Sequence, residues 1–184
     1  MLLRIRARDD DERRPRDAVD LLLDCHARIR SFHALAVKLG EAESPTHAEI
    51  IEAAGGVIRY FTLALPLHVE DEETSILPRL TGLDPALDQA LSTMRAEHRD
   101  IESGLQIVVD HCAQLRAEPA RHGELRATLA DAAHALDAAW FAHLGAEERV
   151  VFPAMRERLD AEAMTAILAE MRARRAGEPP AGGH

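Results

Sequence analysis

Two short stretches of this 184-residue chain carry the same side chains at the same spacing: His68-x-x-x-Glu72-Glu73 followed by Pro78, and His143-x-x-x-Glu147-Glu148 followed by Pro153. Every matched residue is offset by 75 positions. A further histidine precedes each copy, His26 and His98, and these stand 72 positions apart. On an α-helix a histidine and a glutamate four residues apart lie about 40° apart around the axis and about 6 Å along it, so both reach one point. One such pair is ordinarily a surface ion pair contributing a few tenths of a kcal/mol. Two copies in matched frames describe instead two similar helical hairpins, each supplying His, His and Glu. Burying six such groups is costly unless something compensates them, and a bound metal does so.

Mixed imidazole and carboxylate ligation from helices suits iron or manganese, with zinc a further option. The lack of clustered thiolates speaks against iron–sulfur and copper(I) centres. The expected ligands are His26, His68, Glu72, His98, His143 and Glu147. A carboxylate can span two metals roughly 3.5–4 Å apart, which makes Glu72 and Glu147 the expected bridges and leaves two histidines for each metal. Glu73 and Glu148 turn about 140° from the histidines five positions earlier, so they are expected on a solvated face, with bridging in place of a neighbour as the alternative.

The elements that must position these residues all read as helices. Apolar residues are 47% of the chain and aromatics only 3%, with the apolar share mostly Ala and Leu, which favour helix over strand. The first helix is expected from near Asp17 to about Gly40. The second starts at a Thr46–Glu49 capping box and reaches about Leu80, bending at Gly55, Gly56 and Pro66. Asp84 caps a third, from Pro85 to about Ala117. A fourth follows from about Ala120 to Leu159, and Asp160 caps a short last one. The pattern predicts an all-α chain: an up-down-up-down four-helix bundle over residues 17–159, and a C-terminal helix over 160–176. A charged leader over 1–16 and a disordered tail over 177–184 flank them. In an antiparallel hairpin His68, 12 residues before Leu80, and His98, 13 after Pro85, fall at one level. His26 and His68 match less well, being 14 residues before Gly40 and 22 after Thr46.

A formal net charge of -10 argues against a nucleic-acid partner, which needs clustered Lys and Arg. No run approaches the roughly 18 apolar residues of a membrane span and residues 1–17 are highly charged, so the reading is cytoplasmic, without a membrane partner. Cys25 and Cys112 read as buried thiols. Among the other histidines, His33 reads as core, while His47, His111, His122, His134 and His184 read as exposed or capping residues. Phe61, Trp140 and Phe141 read as core, or as walls of a gas-sized pocket.

On Asp24-Cys25-His26, His68-x-x-x-Glu72-Glu73 with Leu77-Pro78, Glu97-His98, and His143-x-x-x-Glu147-Glu148 with Phe152-Pro153, the chain resembles the hemerythrin-like family, the His-His-Glu cation-binding domain. The resemblance covers about residues 17–159. It implies two non-haem Fe ions, oxo- or hydroxo-bridged, inside a four-helix bundle, with Mn or Zn less expected. The implied ligand is dioxygen or another small diatomic or peroxide molecule. Oxygen-carrying members place a fifth histidine one turn after the histidine of the third helix. Glu102 stands there instead, which weakens the expectation of reversible oxygen carriage and leaves Glu102 or water as the alternatives. Ferritin-like di-iron proteins need Glu-x-x-His, whereas Leu65, Arg95 and Trp140 precede His68, His98 and His143 by three. The leading reading is a di-iron protein that binds or senses dioxygen or a related small oxidant. The alternative is a stress protein or enzyme that handles nitric oxide or peroxide, or donates iron to damaged iron centres. A metal-free helical interaction protein is the third.

Overall fold

The computed structural model describes residues 17–177; the expected leader over 1–16, the tail beyond 177 and His184 lie outside the described residues. Among the described residues there is no strand. Helix α1 (Ala18–Glu41) opens on a capping box in which Asp17 accepts from the Asp20 backbone N–H while the Asp20 carboxylate accepts from that of Asp17. Two orphan donors of the first turn are thereby satisfied. Helix α2 (His47–Leu80) opens on the expected Thr46–Glu49 box. Helix α3 (Pro85–Ala117) is capped by Asp84, whose carboxylate accepts from Ala86 and Leu87. A 3-10 turn, Pro119–Arg121, leads into α4 (His122–His134), and after a break at Ala135 and Leu136 helix α5 runs over 137–158. Asp160 caps α6 (Ala161–Ala176) by accepting from Ala163.

Helix α2 runs on through Gly55, Gly56 and Pro66. It widens into π-helical turns at Tyr60–Ala64 and Asp71–Ile76, and α5 does the same at Glu147–Val151. In each case the N–H ending the turn bonds five residues back: Leu65 to Tyr60, Leu77 to Glu72, Phe152 to Glu147. In each case the next residue is proline, at 66, 78 and 153. Proline donates no N–H and its ring crowds the carbonyl four residues back, so a widened turn ahead of it keeps the helix going.

Contacts ascend one element as they descend its neighbour. Along α1, Asp17 meets Arg156, His26 meets Glu148, His33 meets Asp137, and Leu39 meets His122. Phe32 stacks on Tyr60 with centroids 4.3 Å apart and His26 meets His68 at 5.2 Å, so the count mismatch in the first hairpin does not separate its histidines. Gly55 lies by Arg116 and Glu73 by His98, which sets α3 against α2 in the same sense.

Two apolar clusters fill the interior. One contains Ile29, Leu39, Val57, Leu105, Leu129 and Leu144. The other contains Leu22, Ile76, Leu91, Val151, Met155 and Met171. Along α1, α2 and α3 the repeat's histidine falls where one cluster gives way to the other, and so does the α5 stretch from His143 to Glu147. Dry apolar layers therefore enclose the polar one from both ends, which keeps water off it and strengthens every charge inside.

Several side chains depart from expectation. His122 is buried and donates from Nε2 to the Leu39 carbonyl at 2.8 Å, because the turn before α4 tucks under the end of α1. His33 is half-buried and pairs with Asp137 at 2.7 Å, so it is not a core residue. Phe141 is 80% exposed, since it leaves the helix opposite the buried face of α5. Cys112 is buried, whereas Cys25 is half-buried beside the Arg175 guanidinium. Because α2 is uninterrupted it is also long enough, and over 18 residues apolar enough at a mean hydropathy of 1.4, to cross a bilayer. No segment of that kind was expected. Core helices of water-soluble proteins share this length and composition, and 39% of that stretch is buried within the fold.

Candidate metal centre

The six residues singled out by the repeat come from α1, α2, α3 and α5 and converge in the polar layer. His26, His68, Glu72, His143 and Glu147 are 0–2% exposed and His98 is 9% exposed. His68 and Glu72 approach through Nε2 and Oε1 at 3.2 Å, and the other oxygen of Glu72 lies 3.2 Å from Nε2 of His98. Glu147 repeats the arrangement, with Oε1 at 3.0 Å from Nε2 of His143 and Oε2 at 3.0 Å from Nε2 of His26. Each carboxylate thus spans the two halves of the repeat. The donors fall into two overlapping groups: His26, His68, Glu72 and Glu147, and then Glu72, His98, His143 and Glu147. Within each group the ligating atoms lie within 4.8 Å of one another.

These groups suit cations. Two donors each about 2.1 Å from one metal and at right angles to each other lie about 3.0 Å apart, close to the separations here. Nε2 of His26, His68 and His98 and both oxygens of Glu72 and Glu147 are buried without a hydrogen-bond partner among the described residues. Buried polar groups are rarely left so, and their convergence leaves lone pairs for a cation to take up.

Three further glutamates hold the imidazoles from behind. Glu148 accepts from Nδ1 of His26 at 2.8 Å, Glu73 from Nδ1 of His98 at 3.1 Å, and Glu97 from Nδ1 of His143 at 3.0 Å. A carboxylate that only accepts fixes the proton on Nδ1 and turns the Nε2 lone pair inward, which orients a metal ligand and raises its basicity. Glu73 and Glu148 were expected on a solvated face. Both are instead half-buried, because each meets a histidine of a neighbouring helix, Glu73 that of α3 and Glu148 that of α1. The signal available in the sequence was the acidic residue directly after each ligand glutamate, and the Glu97-His98 pair.

The fourth histidine differs. Nδ1 of His68 is buried with no partner among the described residues. By the 72-residue offset the position matching Glu97 is Cys25. A basic cluster lies on this side instead. Asp71, wholly buried and adjacent to Glu72, meets Arg174 at 2.8 Å and Arg175 at 2.6 Å, both from α6.

Burial, and next the charge of Glu72, lifts the Glu147 carboxyl to about 8. Burial, then the charges of Asp71 and Glu73, push Glu72 well above the usual carboxylate range. Burial, then His26, His98 and His143, hold the His68 imidazolium well below its ordinary value, and burial lowers His143 as well. Glu148 is pushed up by burial, but the bonds from His26 and Arg30 outweigh that and hold it low. Without a cation Glu72, Glu147, His68 and His143 are therefore biased toward their neutral forms, while Glu148 is biased toward its ionised one. A positive charge at the centre reverses the preference of the inner carboxyls.

A cavity of about 400 Å³ between α2 and α3 reaches this layer, with His68, His98 and His143 in its lining beside Phe61, Leu105 and Trp140. Glu102, at an exposed position on α3, also borders it. A smaller one, about 140 Å³, approaches Glu97, His143 and Glu147 past Met94 from the other side of α3.

The family model described as the hemerythrin HHE cation binding domain matches residues 17–108, half of the chain. An uncharacterised protein of Haemophilus influenzae is 23% identical over 84 residues, which cover 45% of this chain and 49% of that protein. The match thus spans about half the length of this curated relative.

Proposed function

Since the chain belongs to the hemerythrin HHE cation binding domain family, we propose that its cation site is a di-iron centre that binds or senses dioxygen or a related small oxidant. One observation carries this reading: the two four-residue groups have Glu72 and Glu147 in common. A site for one ion has no use for two carboxylates that each face histidines of both halves, whereas a pair of ions does. His26 and His68 would serve one iron and His98 and His143 the other, with Mn or Zn less suited. When bound, the irons supply electrons and an open coordination position for a small oxidant.

The chain's own residues do the rest. Glu73, Glu97 and Glu148 keep three imidazoles in one tautomer, and the apolar layers on both sides exclude water. The larger cavity offers a path to the His98 and His143 side, lined by Phe61, Leu105 and Trp140. The finer fold assignment belongs to the same proposal: an up-down-up-down four-helix bundle over 17–159, supported by the opposed contact series along neighbouring elements. A reducing cytoplasmic setting fits two free thiols and a strongly acidic chain.

Anaerobic loading with iron(II), metal analysis and an oxygen titration followed by optical spectra test the reading. Two irons per chain and a charge-transfer band after oxidation are expected. Well under two irons, or no band, would refute it. A second reading, turnover of nitric oxide or peroxide or donation of iron for repair, draws on Glu102, a carboxylate bordering the cavity one turn beyond His98. Rapid oxidation with product release in stopped flow favours turnover, and a stable reversible adduct favours binding.

A further inference from the structure

The two halves of the centre are held in different ways. In the second half, His143 leans on Glu97 and the residue before Glu147 is Ala146. In the first half, His68 has no anchor on Nδ1 and the residue before Glu72 is Asp71. Asp71 is 0% exposed, which an isolated carboxylate could not sustain. Its partners come from the last helix: Arg174 Nη1 at 2.8 Å on Oδ1 and Arg175 Nη2 at 2.6 Å on Oδ2.

Arg174 also grips the rest of this turn. Arg174 Nη2 donates to Thr74 Oγ1 at 2.6 Å and to Ser75 Oγ at 2.8 Å, while its Nε lies 3.4 Å from Glu70. The π-turn Asp71–Ile76, which begins one residue before Glu72, is therefore bound along its length by one guanidinium. Arg175 also reaches Cys25 Sγ at 3.6 Å, next to His26, and donates to the Met171 carbonyl, which fixes its own direction. Farther along, Arg79 and Glu170 pair at 2.7 Å and tie the same two helices again.

We propose that Arg174 and Arg175 of α6 are positioning residues of the metal centre: through Asp71 they hold the widened turn that presents Glu72, and through Cys25 they join it to the turn that presents His26. In the half that lacks a carboxylate behind His68, this clamp from outside the four ligand-bearing helices takes over the anchoring. It rests on the metal reading above. Loss of a partner bonded directly to a metal ligand weakens binding by about tenfold to a hundredfold, and this clamp acts one residue further out, so the lower end of that range applies.

The test compares full-length wild type, Arg174→Met/Arg175→Met, and Asp71→Ala/Arg174→Met/Arg175→Met by chelator-competed cobalt(II) titration, with helicity and melting temperature in parallel. The triple variant leaves no unpaired buried charge and copies the Ala146 arrangement, so it reports even where the double variant does not fold. Arg156→Met, which removes a comparable ion-pair cluster with Asp17 and Asp20 far from the ligands, is the control. Expected are about a tenfold loss of affinity for one of the two ions in the folded clamp variants, a smaller loss in Arg175→Lys, which keeps the charge beside Asp71, and none in Arg156→Met. A folded triple variant that binds both ions like wild type would overturn the clamp while leaving the metal reading intact. Failure of wild type itself to bind would overturn both.

Discussion

Nδ1 of His26 lies 2.8 Å from Oε1 of Glu148, the residue directly after the glutamate that faces its Nε2. Arg30 holds the same oxygen at 2.7 Å, so the anchor is itself anchored. Glu148→Ala should leave His26 free to change tautomer and weaken binding at the His26–His68 side by about tenfold to a hundredfold. Glu148→Gln, which keeps an acceptor, should fall between. Competition of each variant with a chelator for cobalt(II) checks this, and an alanine variant as tight as wild type would exclude the anchoring role.

Sharing of Glu72 and Glu147 predicts unequal consequences of single substitutions. His26→Ala or His143→Ala should remove one ion and leave the other partly held, because each histidine belongs to one group. Glu72→Ala or Glu147→Ala should lower both. Metal content per chain after dialysis measures the difference; glutamate variants that lose only one ion would contradict bridging.

Metal uptake should release protons. Glu147 in the metal-free protein has its carboxyl lifted to about 8 by burial and the charge of Glu72. Below that pH a cation must displace its proton. Affinity should therefore rise with pH, by about tenfold per unit for each proton displaced, and level off above about 8. Glu72, raised by burial and then by the charges of Asp71 and Glu73, adds to the release. Titrations in weak buffer with a pH indicator report it, and uptake independent of pH between 6 and 8 would be the contrary result.

Saturating metal should also raise the melting temperature. Binding to the folded state alone at a hundred times Kd adds about 2.7 kcal/mol of stability. A strong chelator should abolish the increment. A melting curve unchanged both by added iron and by chelator would favour a metal-free helical protein.

Packing between α1 and α4 makes a sharper prediction. A Cβ on Gly40 would lie 2.6 Å from the Ala130 backbone nitrogen, whereas one on Gly123 meets nothing within 4 Å. Alanine improves helix propensity by at most about 1 kcal/mol at either site, the value for a helix interior. At Gly40 the clash is with backbone that cannot rotate away, and overpacking costs about 1–3 kcal/mol, so the clash wins. Gly40→Ala should lower the urea midpoint and Gly123→Ala should hold or raise it. Equal effects at the two positions would discount the close approach.

What the linear chain settled by itself was local and repetitive. Asp17, Thr46, Asp84 and Asp160 announce helix starts because a cap acts within three residues. The duplicated His-x-x-x-Glu names the donors because four-residue spacing aligns side chains on any helix. The tertiary structure decided what acts across distance. Glu148 meets His26 from 122 positions away and Arg174 meets Asp71 from 103, separations that no helical period encodes. It also decided which helix turns widen, ahead of Pro66, Pro78 and Pro153, and that Glu73 meets a histidine of α3 where the helical period alone leaves it facing solvent. His122 and Asp71 are buried for the same reason: the partners that make burial tolerable, the Leu39 carbonyl and the arginines of α6, are supplied only once the helices have packed.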